Sequence, residues 1–213
     1  MREHYLKLPG HYYDKDHWYA FEPWFKAVSR DAKVIYLGCG RGSALLEFKN
    51  GVGIDFNPNL VPLWHMQGIA DRCWNMPVEE GLAWEDWHFD WTMSVDFLEH
   101  LQPDAVDAAL YEIMRLAPAG VHIIDLKPQS YYRGPNGENL HPSANDAAFW
   151  ENAFALARRG AGLNPDLLSF KPAGRGRFLA VRWPVVAAQE SPSEQRSEPE
   201  TERGSSLDSP HDI

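Results

Sequence analysis

The sequence predicts an α/β domain: a mostly parallel sheet with helices on both faces and an antiparallel hairpin at its C-terminal end. Three observations carry this. Between Lys33 and Leu126 short apolar runs alternate with helix-like segments, the pattern of repeated βα units. The first apolar run enters a glycine turn directly. Two late runs, Asp166 to Phe170 and Phe178 to Trp183, are joined through Pro172-Ala173-Gly174-Arg175-Gly176, a connection short enough for a hairpin.

The elements follow in order. From His11 to Arg30 the chain is crowded with aromatics, and Trp18, Phe21, Phe25 and Val28 recur at helical spacing. They fit a helix packed on the sheet edge better than a lid over a site, because helical aromatic stripes are usually core. Pro23 starts a second helix there or kinks the first. Lys33 to Leu37 reads as the first strand, Arg41 to Phe48 as a helix, and Gly51 to Asp55 as the second strand. Asn57 and Pro58 read as an N-cap followed by proline in the first turn. Gly68 to Asp71 is a candidate third strand and Trp91 to Val95 a fourth. From Asp104 to Ala117 one helical face carries Val106, Ala109, Leu110, Ile113, Met114 and Ala117. Val121 to Leu126 is the fifth strand. The segment from Lys127 to Asn145 is a long loop rich in Gly, Pro, Asn and Tyr, and loops of this length are often functional. Ser143 and Asp146 have capping-box spacing, so a helix is expected after Ser143, ending near Gly160.

Three segments result: an aromatic helical stretch at 1–32, the α/β domain at 33–186, and a tail at 187–213. The tail holds seven acids, two arginines and almost nothing apolar. It is expected to be disordered, since it has too little apolar surface to offset its ordering entropy. The whole chain has 213 residues and a formal net charge of −10, half of it in that tail. An acidic balance argues against a nucleic-acid partner and leaves room for a cationic small ligand. Cys39 and Cys73 form no CxxC pair, which fits a reducing, cytoplasmic setting. The start of the chain lacks the apolar core of a signal peptide, and no window is apolar for long enough to span a bilayer. The oligomeric state is left open.

The chemistry starts at Val34-Ile35-Tyr36-Leu37-Gly38-Cys39-Gly40-Arg41-Gly42. Alternating glycines after a strand permit a tight turn and let a ligand approach bare backbone. The next strand ends in Asp55, an acid placed to accept hydrogen bonds from both hydroxyls of an adenosine ribose. A dinucleotide site needs G-x-G-x-x-G with a pyrophosphate at the helix start. Here Ser43 holds the sixth position and the third glycine comes one residue early, at Gly42. That favours a nucleoside ligand without phosphates over NAD or NADP. There is no G-x-S-x-G nucleophile elbow. No run of His, Cys and carboxylates has metal-ligand spacing, so no metal is expected.

Four motifs in order make the sequence resemble the Rossmann-like class I S-adenosylmethionine-dependent methyltransferases. They are the glycine turn at Leu37 to Gly42, Gly53-Ile54-Asp55, the run Phe89 to Leu101, and Glu112 to Gly120. The resemblance covers Lys33 to Leu126 and, more loosely, the C-terminal hairpin. It implies S-adenosylmethionine as cofactor. Gly38, Cys39 and Gly40 would lie against its methionine part, and Asp55 would hold the ribose with Phe56 beside the adenine. Asp71 to Trp74, with Cys73 and Trp74, would form the adenine edge. Ser94 to Asp96 would pass under the methionine end. Tyr36 departs from the family, which carries an acid there that helps position the cofactor's amino-acid end. Weaker binding, replacement by another acid such as Asp96, or a degenerate site are the consequences left open.

Methyl transfer from a sulfonium needs alignment of the acceptor more than a fixed catalytic group, so the acceptor is the least legible part. Exocyclic base amines often go with an (N/D)PP(Y/F) turn in this family. Here Ser94-Val95-Asp96-Phe97 stands in its place. A small molecule bearing a hydroxyl or amine is therefore expected. His100 and His141 are the candidate catalytic residues, and Glu99 is expected to make structural hydrogen bonds instead. Tyr131 and Tyr132 lie on the same loop as His141. His65, His88 and His122 receive no role. The alternative is a non-catalytic methyltransferase-like binding module.

Overall fold

The structure is a computed structural model that describes residues 18–127, 137 and 139–184. The expectations for the tail at 187–213, for Tyr131 and Tyr132 and for residues 1–17 lie outside the described residues.

The strands are β1 (Val34–Leu37), β2 (Val52–Asp55), β3 (Cys73–Asn75), β4 (Trp91–Val95), β5 (Ala119–Asp125), β6 (Ser169–Ala173) and β7 (Phe178–Trp183). They stand in the order β3-β2-β1-β4-β5-β7-β6. Pairing is parallel from β3 through β5, and β7 runs antiparallel to both β5 and β6. The chain builds outward from β1 to β3, then returns to place β4 on the other side of β1. Such a reversal opens a crevice at the carboxyl ends of the strands, where ligands of open α/β sheets bind.

Alternation along the strands sends side chains to two cores. On one face Val34, Tyr36, Met93, Val95, Val121 and Ile123 pack under α1 (Trp18–Phe21), α2 (Ser43–Glu47) and α3 (Val61–Gln67). On the other, Ile35, Leu37, Ile54, Ile124 and Val181 pack under α4 (Val106–Leu116) and α5 (Ala147–Gly160). The aromatic N-terminal stripe is core. Trp18 lies 4.6 Å from Phe25, 6.0 Å from Tyr36 and 5.9 Å from Phe48 between ring centroids, and Phe21 lies 4.7 Å from Phe178. The stripe breaks after Phe21 into a 3-10 turn over Glu22–Phe25 that contains Pro23.

Several boundaries differ from expectation, each for a local reason. The third strand is Cys73–Asn75, not Gly68 to Asp71. Gly68 takes φ 71° to end α3, and Ala70–Arg72 forms a 3-10 turn. That turn lets Arg72 Nη1 donate to the carbonyls of Leu45 and Phe48, at 3.1 and 2.9 Å, closing the end of α2. The sixth strand is Ser169–Ala173, because Asn164 accepts from the Asp166 N–H and caps a 3-10 turn at Pro165–Leu167. Pro172 is tolerated within it because β6 is an edge strand.

Helix α5 is capped by Asp146, which accepts from the Phe149 N–H, while the Ser143 hydroxyl donates to the Leu101 carbonyl. The helix ends at Gly160 as expected. The residue that reverses the chain is Gly162 at φ 71°, with Gly162 and Leu163 N–H donating back to the Arg159 and Arg158 carbonyls. Asn57 caps as expected, accepting from the Asn59 N–H ahead of α3. No helix among the described residues is long and apolar enough to cross a membrane.

Candidate active site

Between β1 and α2 the chain makes three left-handed turns at Gly38, Gly40 and Gly42, with φ of 65°, 52° and 82°. Each glycine is required differently. A Cβ at Gly38 would sit 2.3 Å from the Phe97 ring, and one at Gly42 would sit 2.4 Å from the Ile69 side chain. A Cβ at Gly40 meets nothing, so there the backbone faces open space. The turn is pinned from several sides. Cys39 N–H donates to the Ile54 carbonyl at 3.0 Å, Trp64 Nε1 donates to the Gly40 carbonyl at 2.8 Å, and Gln67 Nε2 donates to the Arg41 carbonyl at 2.9 Å.

Asp55, at the carboxyl end of β2, ties the turn to the second strand. One carboxylate oxygen accepts from Gly40 N–H and the other from Asn57 N–H, both at 3.0 Å. Burial pushes its carboxyl up to about 6, against these two donors, which pull it down. Asp55 opens onto a cavity of about 540 Å³ at the crevice, within the range of small-ligand sites. Gly38, Phe56 and Phe97 line it, Met76 to Glu80 form one edge, and His100, Leu101 and Gln102 form another.

The expected site residues divide on this geometry. Gly38, Asp55, Phe56 and His100 line the cavity, and Gly40 is bonded to its floor. Cys39 is buried beside Cys73, its thiol held well above the usual range by burial first and by the Cys73 thiol second. Cys73 and Trp74 are not among the residues that line the cavity. Both belong to β3, and Trp74 packs edge-on against Trp84 at 5.3 Å. The loop after β3, Met76 to Glu80, lines the cavity instead, at the carboxyl end of the strand.

Ser94 is likewise a core residue. Its hydroxyl lies 2.8 Å from His122 Nδ1, and Thr92 Oγ1 lies 3.2 Å from Nε2. His122, given no role from sequence, stacks on Trp183 at 5.3 Å, and burial lowers it to about 3, so it stays neutral. The register Ser94↔His122 is the signal that would have found this pair.

At the end of β4, Asp96 holds a left-handed backbone at φ 53° and donates its N–H to the Ile123 carbonyl. Strain of this kind in a non-glycine residue clusters at functional sites. Glu99 is fully buried and structural. It accepts from the Asp125 N–H at 2.6 Å, and burial, then the Asp96 carboxyl beside it, raise its pKa well above the carboxylate range. His100 Nδ1 donates to the Leu140 carbonyl at 2.7 Å. His141 is buried against it, the rings 4.3 Å apart and edge to face. Burial first, then His100, lowers His141 to about 4, so it is neutral at physiological pH. Asp96, His100 and His141 thus converge, although His141 lies far along the chain and linear spacing hides the group.

Residues 35–124 match the protein family described as a methyltransferase domain. Solved structures share the fold. The PH0226 protein of Pyrococcus horikoshii is 19% identical with a TM-score of 0.59, covering 86% of this chain and 99% of its own. A Burkholderia thailandensis 1,6-didemethyltoxoflavin N1-methyltransferase, solved with S-adenosylhomocysteine, is 22% identical with a TM-score of 0.56, covering 85% of each chain. The [4+2]-cyclase SpnF is 16% identical with a TM-score of 0.51, covering 65% of this chain and 56% of its own. No curated protein matches the chain. Residues 35–124 thus resemble a methyltransferase domain, and the chain shares the Rossmann-like fold of these solved structures.

Proposed function

We propose that the protein transfers the methyl group of S-adenosylmethionine to a hydroxyl or amine of a small-molecule acceptor. The observation that carries this reading is the cavity shared by the glycine turn and Asp55. Gly38 of the turn lines that cavity, and Asp55 presents a carboxylate already fixed by two N–H donors. That arrangement suits a ribose with two hydroxyls to donate. The acids Asp55, Glu79 and Glu80 around one cavity suit a ligand with a sulfonium and an ammonium group. The absence of a third turn glycine at position 43 disfavours a pyrophosphate. The acceptor then meets the edge formed by His100, Leu101 and Gln102. Because unrelated chemistry also uses this fold, as the cyclase SpnF does, the reading rests on the site and not on the fold.

Calorimetric titration of the full chain with S-adenosylmethionine, S-adenosylhomocysteine, NAD and NADP tests it. The two sulfur ligands are expected to bind and to raise the melting temperature, and the dinucleotides to do neither. Failure of both sulfur ligands to bind the folded protein would overturn the assignment. Mass spectrometry of cell-extract metabolites that gain a methyl group then identifies the acceptor.

Asp55 also sets a pH dependence. The ribose hydroxyls donate to the ionised carboxylate, so binding requires the deprotonated form. With the carboxyl near 6, affinity is expected to be flat above pH 7 and to fall as pH drops through that value. The loss approaches about tenfold per pH unit. An affinity unchanged between pH 7.5 and 5 would remove Asp55 from the binding step.

A further inference from the structure

We infer that Asp96, His100 and His141 form a binding site for a divalent transition-metal cation at the edge of the cavity. The donor atoms of the three side chains lie within 4.8 Å of one another. Ligands about 2.1 Å from a tetrahedral cation stand about 3.4 Å apart, so the widest pair must close by up to about 1.4 Å, a movement shared between two side chains. Two imidazoles and one carboxylate are the donor set that suits iron, cobalt, nickel or zinc and leaves coordination positions open.

The surroundings hold the donors in place before any ion arrives. His100 Nδ1 is committed to the Leu140 carbonyl at 2.7 Å, the outer hydrogen bond that orients a ligating histidine through its other nitrogen. Leu140 is the neighbour of His141, so the same contact ties the two loops together. The loop that carries His141 is tied back to the turn that carries His100. Ser143 N–H donates to the Glu99 carbonyl at 3.1 Å, and the Ser143 hydroxyl donates to the Leu101 carbonyl at 2.8 Å. Asp96 completes the group from a left-handed backbone that ends β4. Glu99, whose Oε1 accepts from the Asp125 N–H, is not one of the three converging donors.

His100 borders the cavity, so the open coordination positions would take oxygens of water or of an acceptor hydroxyl. That use rests on the methyltransferase reading, whereas the cation site does not.

The test is titration of chelator-treated full-length protein with cobalt(II), followed by visible absorption and calorimetry. One equivalent is expected to bind with d–d bands of a nitrogen- and oxygen-ligated ion. His100→Ala and His141→Ala are each expected to weaken that binding at least tenfold. Asp96→Asn, which preserves shape, is expected to weaken it in the same direction. Melting temperatures and S-adenosylmethionine binding, measured on the same metal-free proteins, separate misfolding and failure of the cofactor reading from failure of the cation site. Absence of cobalt binding to the wild type, or binding that survives both histidine variants in folded protein, would overturn the inference.

Discussion

Asp55→Ala is expected to weaken S-adenosylmethionine binding by about two orders of magnitude while costing the fold little. A hydrogen bond to a charged group is worth about 1.5–3 kcal/mol, and each 1.4 kcal/mol is about tenfold in affinity. Asp55 would accept from two ribose hydroxyls, and it also fixes the turn that must meet the ligand, through Gly40 N–H and Asn57 N–H. The variant removes the acceptor and loosens the turn together. Stability should respond weakly. A carboxyl raised to about 6 is one whose ionised form the fold disfavours, so at neutral pH its loss relieves a cost that offsets the two lost bonds. Calorimetry for affinity and thermal unfolding for stability read the two effects separately. Unchanged affinity would remove the ribose assignment, and a collapse of the fold would show that Asp55 is structural.

The parts of the architecture legible in sequence were those with a local cause. The glycine turn, the strand ending in Asp55 and the amphipathic face of α4 appear in the chain as short-range patterns. Turn chemistry that depends on distant partners did not. The shift of β3 from Gly68–Asp71 to Cys73–Asn75 follows from Arg72 reaching the carbonyls that end α2, and those lie in another βα unit. The same shift moved one edge of the cavity from Cys73 and Trp74 to Met76 through Glu80. The partner of Ser94 was hidden for a comparable reason: strand parity places it on a face, and only the register with β5 brings it to His122. His141 joined His100 through a loop whose path is set by hydrogen bonds to residues 99–101, and periodicity carries no trace of such bonds.

Tyr36→Asp is expected to destabilise the protein by at least about 3 kcal/mol and to leave cofactor affinity no better. The position is where the related enzymes carry an acid, so a restored carboxylate would improve binding if the side chain met the ligand. In this chain Tyr36 is 4% exposed and packs edge-on against Trp18 at 6.0 Å, within a core that also holds Phe25 and Phe48. Removing a buried aromatic ring costs about 3–5 kcal/mol, and a carboxyl left among apolar rings adds its own desolvation cost. For a chain of this size the melting temperature should fall by roughly 6–12 °C or more. Tyr36→Phe retains the ring and separates the share of the hydroxyl from that of the ring. The aromatic N-terminal stripe thus gives a structural reason for the tyrosine: Trp18 and Phe25 occupy the sheet face that this side chain enters. An acid there would be buried under them. A tighter complex in Tyr36→Asp without loss of stability would contradict that packing and place the residue at the cofactor. If the folded wild type instead binds neither S-adenosylmethionine nor S-adenosylhomocysteine, the tyrosine marks a chain that has kept the fold as a non-catalytic binding module.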